Sequence, residues 1–191
     1  MAVTNLFWDS NVFIAFLNDE KDIYPVPSIQ QYLEDAKLGQ CKIYTSSIIF
    51  SEVTPKRIAK SEYGTFNDFL GDFRSQVVTI GNDPNIGSLS GELKDLQYKK
   101  GTSTTRILTT GDAIMLATAL ELESTYGVKI DAFHTFDNGG GPRSPEGGKG
   151  IPLLTYQEWC EGIENDPLAK RVIGLNRCKP IHPTPNMFNH D

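Results

Sequence analysis

The stretch TTGDAIMLATALELESTY, residues 109–126, decides which fold this sequence predicts. Its first half would be apolar on nearly every side of a helix, which is typical of a helix buried in the protein interior. Such a helix belongs between a sheet and another layer of structure. Gly127 follows directly, at the position where a glycine commonly ends a helix.

On both sides of this helix, short apolar runs alternate with longer helical patterns. This alternation predicts an α/β domain with a largely parallel sheet of four to five strands. The predicted strands are Val3–Trp8, Cys41–Thr45, Gln76–Ile80, Val128–Phe136 and Ile151–Leu154. The other predicted helices cover 11–17, 28–38, a stretch from the Ser46-Ser47 cap to about 73 with a break at Pro55, a stretch from Asp83-Pro84 to Lys99, and 156–162.

The chain has 191 residues, which suits a single domain with its own core. We assign residues 1–162 to that domain. Residues 138–150, NGGGPRSPEGGKG, hold six glycines and two prolines and are predicted to form a mobile loop. Residues 163–191 are predicted to be a basic C-terminal tail with little periodicity, which either attracts phosphates or packs across the domain.

The net charge and the cysteine content disfavour several classes of protein. A net charge of -6 disfavours a protein held to nucleic acid by bulk positive charge, although bound divalent cations would offset several carboxylates. Three distant cysteines without CxxC spacing indicate neither a disulfide framework nor a zinc ribbon. The N-terminus carries an acid where a signal peptide is basic, and no apolar run approaches a membrane span, so we expect a cytoplasmic protein without a membrane partner.

Two acids follow predicted strands. Asp9 comes where the apolar run NLFW ends, and Asp137 ends the run HTFD. Ligands of open α/β sheets bind beyond the carboxyl ends of the strands, so both carboxylates are predicted to face one crevice. Side chains alternate along a strand, which places Thr135 on the same side as Asp137.

Two further acids lie on predicted helices. Asp112 falls in the first turn of the buried helix, where a cap of the T-x-x-[DE] type with Thr109 is the simplest explanation. Glu52 lies in the apolar stretch SSIIFSEV, with no Lys or Arg before it within reach on the helix. A buried carboxylate without a partner is costly, so a functional role explains Glu52 at least as well as a structural one.

Together the four acids predict a metal site. A cluster of carboxylates repels itself unless cations neutralise it, and an all-oxygen ligand set selects Mg²⁺ or Mn²⁺ over zinc. His134, His182 and His190 are unsuitably placed for a zinc site.

Asp9 in FWDSN, Glu52 in SSIIFSEV, Asp112 in TTGDAIMLATAL and Asp137 in HTFDN resemble, in type and order, the acidic quartet of PIN-domain nucleases. That family includes the toxin ribonucleases of VapBC-type toxin–antitoxin pairs. The resemblance covers residues 3 to about 155. It implies a three-layer α/β/α fold and a metal-dependent ribonuclease.

The resemblance also implies roles for these residues. Asp9 would be the central metal ligand, Asp112 and Asp137 would complete the metal sites, and Glu52 would bind metal or orient the attacking water. Two cations would then activate water and stabilise the leaving oxygen of a phosphodiester. Ser10, Asn11 and Thr135 are expected to hydrogen-bond the ligand carboxylates.

An RNA substrate needs cations near the acids, and candidates are Lys56 and Arg57 after Glu52, and Lys100 and Arg106 before Asp112. Each is also explained as ordinary solvated surface. An antitoxin protein and a homodimer are the other partners that the resemblance suggests.

Two alternatives stay open from the sequence. One is a PIN-like scaffold that binds RNA or protein with little or no turnover. The other is a metal-dependent phosphatase or DNA flap nuclease. The phosphatase version is weakened because Asn11 stands where a second Asp would follow Asp9.

Overall fold

A computed structural model describes residues 3–99, 106–140 and 149–183. Its centre is a parallel sheet of five strands flanked by helices. The strands are β1 (Thr4–Trp8), β2 (Cys41–Ser46), β3 (Val77–Ile80), β5 (Ala132–His134) and β7 (Arg177–Cys178). Their order across the sheet is β3-β2-β1-β5-β7. A second, two-stranded parallel pair joins β4 (Arg106–Ile107) to β6 (Lys149–Gly150). The predicted α/β class with a central parallel sheet is confirmed.

The helices are α1 (Ser10–Leu17), α2 (Val26–Lys37), α3 (Ile49–Glu52), α4 (Phe66–Phe73), α5 (Pro84–Asp95), α6 (Thr110–Tyr126), α7 (Tyr156–Trp159) and α8 (Pro167–Ile173). Helix α2 packs on α1 and β2, while α6 packs on β2, α5 and α8. The arrangement is consistent with three layers. No helix among the described residues is both long and apolar enough to cross a membrane.

The predicted buried helix is confirmed as α6. Its N-cap is Thr109, whose side-chain oxygen accepts a hydrogen bond from the Asp112 backbone N–H at 3.2 Å. Residues 113–120 are all buried. Gly127 ends the helix with a φ of 64°, a left-handed conformation that glycine adopts without steric cost.

Strand β1 lies in the middle of the sheet because its residues are apolar on both faces. Leu6, Phe7 and Trp8 are at most 2% exposed, and Phe7 stacks on Phe133 of β5 with 5.0 Å between ring centroids. A strand buried on both faces reads as a continuous apolar run rather than an alternating one. This position places the residue after Trp8 at the centre of the sheet's carboxyl edge.

Three predicted elements are shorter in the structure: the strand at Val128–Phe136 is Ala132–His134, and the helices predicted to Lys99 and to residue 162 end at Asp95 and Trp159. Two others differ more. The strand predicted at Ile151–Leu154 is wrong: Leu153–Thr155 is a 3-10 turn, because the backbone N–H groups of Leu153 and Leu154 donate to Asp137 instead of to a strand. The helix predicted from Ser46-Ser47 begins only at Ile49 and ends at Glu52. Ser46 itself is the last residue of β2, and Pro55 disfavours helical geometry in the residue before it.

Residues 163–183 pack on the domain, which is the second of the two expected alternatives for the tail, and they contribute α8 and β7 where little periodicity was predicted. Strand β7 pairs with β5, and Ala169 and Val172 of α8 are fully buried. Arg171 donates to the Leu120 carbonyl, and Arg177 is itself buried, so two of the segment's cations face the protein. A two-residue strand is too short to produce a periodic pattern, which is why the sequence did not reveal it. Residues 184–191 lie outside the described residues.

The predicted loop 138–150 is described only at its two ends. Lys149 and Gly150 form β6, so the loop ends earlier than the composition indicated. Residues 141–148 lie outside the described part of the chain.

Candidate active site

The acidic edge of the sheet is assembled by the pairing of β1 with β5. Trp8 lies opposite His134 in the register, and the Asp9 N–H donates to the His134 carbonyl at 3.0 Å. The residues that follow these two strands are therefore neighbours. The sequence prediction that Asp9 and the Thr135-Asp137 pair share one edge is consistent with this geometry.

Asp9 is the most enclosed of the four acids, with 4% of its surface exposed. It caps α1 by accepting from the Ser10 N–H at 2.7 Å, and the Ser10 hydroxyl lies 3.3 Å from the same oxygen. Its other oxygen accepts from Asn11 Nδ2 at 2.6 Å and from Thr135 Oγ1 at 2.7 Å. Ser10, Asn11 and Thr135 thus all hold the Asp9 carboxylate, as the sequence had suggested.

The same polar groups connect Asp9 to the end of β5. Asn11 Nδ2 lies 3.1 Å from Thr135 Oγ1, and Asn11 Oδ1 accepts from the Phe136 N–H at 2.9 Å. Thr135 Oγ1 in turn accepts from the Asp137 N–H at 3.0 Å. This network fixes the loops after β1 and β5 relative to each other.

Asp137 organises the chain that follows β5. One carboxylate oxygen accepts from the Gly139 N–H at 2.9 Å and the other from the Leu153 N–H at 2.9 Å. The Asp137 carboxylate therefore has a structural role, because it joins the two sides of the loop whose centre is not described. An ionised carboxylate has about four acceptor sites, so these two bonds leave further sites for another ligand.

Asp112 reaches the edge from the first turn of α6. The Thr109 hydroxyl accepts from the Asp112 N–H and also donates to Asp112 Oδ2 at 2.6 Å. The expected cap is therefore present, and it simultaneously orients the carboxylate. Gly150 passes close by: a Cβ at that position would lie 3.5 Å from Asp112 Oδ2.

Glu52 reaches the same place from the end of α3 and packs against the first turn of α6. A Cβ on Gly111 would lie 2.3 Å from Glu52 Oε1, closer than real Cβ contacts allow. Burial raises the pKa of Glu52, while the nearby Ser10 side chain and the charge of Arg57 lower it. Gly111 therefore leaves room for the glutamate between α3 and α6.

The charges of these carboxylates act on one another. Burial and, to a smaller extent, the charges of Glu52 and Asp137 raise the pKa of Asp9 to about 7. The hydrogen bonds from Thr135 and Ser10 act in the opposite direction. Burial and the charges of Asp9, Asp137 and Glu52 hold the pKa of Asp112 well above its ordinary value. Four acids from four separate segments thus form one electrostatically coupled cluster, which we call the acidic cluster.

The acidic cluster suits a hard cation by its chemistry, since carboxylate oxygens are the ligands that Mg²⁺ and Mn²⁺ prefer. In the described part of the chain, no three His, Cys, Asp or Glu side chains are arranged so that they could hold a metal ion as they stand. The bonds just described explain part of this, because Asp9 and Asp137 direct oxygens to protein donors. The donor types fit a metal, and the ligand cage itself is not preformed.

The cations proposed to contact RNA have different environments. Arg57 lies beside Glu52 and donates to its backbone carbonyl at 3.1 Å. Lys56 is exposed. Arg106 is half-buried, and its Nη1 donates to the Gly150 carbonyl at 2.7 Å and the Gly139 carbonyl at 3.3 Å. Lys100 lies outside the described residues.

Sequence reasoning missed one glycine of the site. Gly111 lets Glu52 approach the backbone of α6, whereas a Cβ at Gly150 would make only an ordinary contact with Asp112. One signal was available: a glycine in the first turn of a helix disfavours that helix relative to alanine by about 1 kcal/mol, and therefore indicates a packing or functional requirement.

Comparison with known proteins does not identify a family for this chain. No protein-family model matches the chain, and no curated protein is significantly similar to it.

Proposed function

We propose that this protein is a metal-dependent endoribonuclease that hydrolyses phosphodiester bonds with water as the nucleophile. The observation that supports the proposal is the convergence of Asp9, Glu52, Asp112 and Asp137 on one edge, where burial and the neighbouring carboxylates raise the pKa values of Asp9 and Asp112. Burying several acids together is costly without a cation. Proteins accept such a cost at functional sites, where perturbed pKa values concentrate.

Each acid has a distinct part in the proposed reaction. Asp9, held by Ser10, Asn11 and Thr135, is fixed most firmly and would be the central ligand of Mg²⁺ or Mn²⁺. Asp112 and Asp137 would complete the ion's ligands from α6 and from the end of β5. Glu52 is close to α6 but on a separate element, which suits a group that orients water or binds metal. When bound, such ions act as Lewis acids and lower the pKa of coordinated water.

The order of the acids resembles that of PIN-domain nucleases, which is the reason for choosing RNA as the substrate. On the same resemblance we propose that the protein can act as the toxin of a toxin–antitoxin pair, with an antitoxin protein or a second copy of the chain as its partner. The cytoplasm is the compartment where such a ribonuclease would meet its substrate.

A second candidate is a scaffold of the same fold that binds RNA or protein with little turnover. One observation favours it: both oxygens of Asp137 bond backbone N–H groups, so this acid is already used to shape the loop. The two candidates differ in whether metal supports multiple turnovers.

The test is cleavage of a panel of structured and unstructured RNAs with Mg²⁺, Mn²⁺ or a chelator. We expect cleavage by the wild type with either ion, and loss of cleavage in Asp9→Asn and Asp112→Asn. Glu123→Gln is the matched control, because Glu123 is exposed and lies three turns further along α6. Unchanged cleavage by both aspartate variants would contradict the proposal.

Metal binding is measured separately by thermal unfolding. Mn²⁺ at about 100 times its Kd should stabilise the wild type by about 2.7 kcal/mol through mass action. Asp9→Asn should lose this shift and Glu123→Gln should keep it. A Mn²⁺ shift without cleavage of any RNA would favour the scaffold.

A further inference from the structure

A cavity of about 540 Å³ lies next to the acidic cluster, between the end of α5, the β4 segment and α7. We call it the α5–α7 cleft. Its volume falls within the roughly 300–1,000 Å³ typical of ligand pockets. Its lining includes Lys94, Lys99, Arg106 and Trp159.

The cleft and the acidic cluster share a wall. Lys94 Nζ lies 2.7 Å from the hydroxyl of Thr110, two residues before Asp112. On the other side, Arg106 donates to the carbonyl of Gly150, and a Cβ at Gly150 would touch Asp112 Oδ2. The cleft and Asp112 are therefore separated only by these two segments.

The charge of the cleft is opposite to that of the cluster. Among its described lining residues, Lys94, Lys99 and Arg106 are basic and only Asp95 is acidic. The phosphodiester backbone of RNA is repelled by four carboxylates and attracted by cations beside them. Arg57 supplies positive charge near Glu52, and the cleft supplies it on the side of Asp112.

Lys99 can exchange its present partner for a phosphate. Its ammonium pairs with Glu161, and both side chains are about half exposed or more, at 49% and 64%. Exposed ion pairs of this kind contribute little to stability and are screened by salt. Moving Lys99 from Glu161 to a phosphate oxygen therefore has a small cost.

The cleft also contains an aromatic surface for a base. The Arg106 guanidinium lies 5.5 Å from the centroid of the Trp159 ring, an arrangement on which nucleobases stack in single-stranded complexes. The Trp159 Nε1–H is itself buried, so Trp159 would contact a ligand in the cleft through its ring.

We propose that the α5–α7 cleft binds one nucleotide of single-stranded RNA, adjacent to the phosphodiester at the acidic cluster. Lys99 contacts the phosphate, and the base packs against Trp159 and Arg106. This inference rests on the proposed ribonuclease function, because it names the part of the substrate that the same site would hold.

The chain offers a direct probe, since Trp159 and the fully buried Trp8 are its two tryptophans. A short single-stranded oligoadenylate is titrated into the full-length protein in chelator, where no cleavage is expected, while tryptophan fluorescence and the anisotropy of labelled RNA are recorded. We expect quenching in the wild type. Trp159→Phe should lose the quenching yet still bind the RNA, because phenylalanine retains a ring for stacking.

Lys99→Gln tests the phosphate contact, and Lys129→Gln is its matched control. Lys129 is exposed and precedes β5, whereas the acidic cluster follows β5, so it lies toward the opposite edge of the sheet. Lys99→Gln should weaken RNA binding and reduce the slope of log K against log salt by about 0.7, the value for one lost single-strand phosphate contact. Lys129→Gln should change neither quantity.

Quenching that persists in Trp159→Phe, or equal salt slopes for Lys99→Gln and Lys129→Gln, would overturn the inference. The failure of the proposed function is distinguishable from this result. RNA binding with the expected variant effects but without metal-dependent cleavage would support the cleft and contradict the ribonuclease. Cleavage with an unchanged KM in Lys99→Gln would support the ribonuclease and contradict the cleft.

Discussion

The last residues of strand β1 and the residue that follows them are buried to similar degrees, but their burial has opposite effects on stability. Phe7 and Trp8 are fully buried against other aromatic and aliphatic side chains. Asp9, the next residue, is 4% exposed and lies among three other acids. Burial of the first pair drives folding, whereas burial of Asp9 raises its pKa, so stability is lost as pH rises from the ordinary carboxyl pKa to about 7. The comparison indicates that the aromatic core stabilises a fold that carries a destabilising site.

We expect the largest effect on stability from a substitution in the aromatic core. Phe133→Ala removes a fully buried ring that stacks on Phe7, and should lower the free energy of unfolding by about 3–5 kcal/mol. The measurement is urea denaturation. Tyr126→Ala, at a residue 58% exposed, is the control and should cost much less. Equal losses in the two variants would contradict this account of the core.

We expect an intermediate effect on stability from the titration of Asp9 in the acidic cluster. Because the pKa of Asp9 rises to about 7 in the folded state, that state binds a proton more readily than the unfolded chain. Stability therefore increases as pH falls through 7. In chelator, Asp9 should contribute about 2 kcal/mol more stability at pH 5.5 than at pH 8. The measurement is the free energy of unfolding at both pH values.

His134 acts in the opposite direction and must be separated from Asp9. Burial lowers the pKa of His134 to about 4, so stability is lost as pH falls below the ordinary histidine value of 6.5. Asp9→Asn retains His134, and the difference between this variant and the wild type reports Asp9 together with its charge interaction with Asp112. If both proteins show the same change between pH 8 and pH 5.5, Asp9 is not strained in the way described.

The smallest effect concerns two helical glycines. Gly91→Ala on α5 meets nothing within 4 Å and should stabilise the protein by about 0.5–1 kcal/mol through helix propensity. Gly111→Ala places a Cβ 2.3 Å from Glu52 Oε1, so the glutamate must move and the stability gain should be reduced or reversed. Thermal unfolding of both variants checks this. Glu52→Ala in the Gly111→Ala background should restore the gain, and its failure to do so would argue against this contact.

Much of the candidate site could be predicted because each acid has a local signal. Asp9 follows an apolar strand, Asp112 completes a cap with Thr109, and Glu52 interrupts an apolar stretch. The hydrogen bonds of Ser10, Asn11 and Thr135 to Asp9 follow from short sequence distances and one strand pairing. The bonds from Gly139 and Leu153 to Asp137 could not be predicted, because the second joins residues across a loop whose composition indicates no fixed path.

The sequence by itself determined the buried helix α6, the parallel sheet and the acids at the ends of elements, since periodicity, capping and strand ends are local properties of the chain. Only the tertiary structure decided that Arg177–Cys178 extends the central sheet and that Glu52 occupies the space next to Gly111. It also decided that a basic, aromatic cleft lies beside the acids. These features depend on contacts between distant segments, and pairing over such distances leaves no periodic signal in the residues that make it.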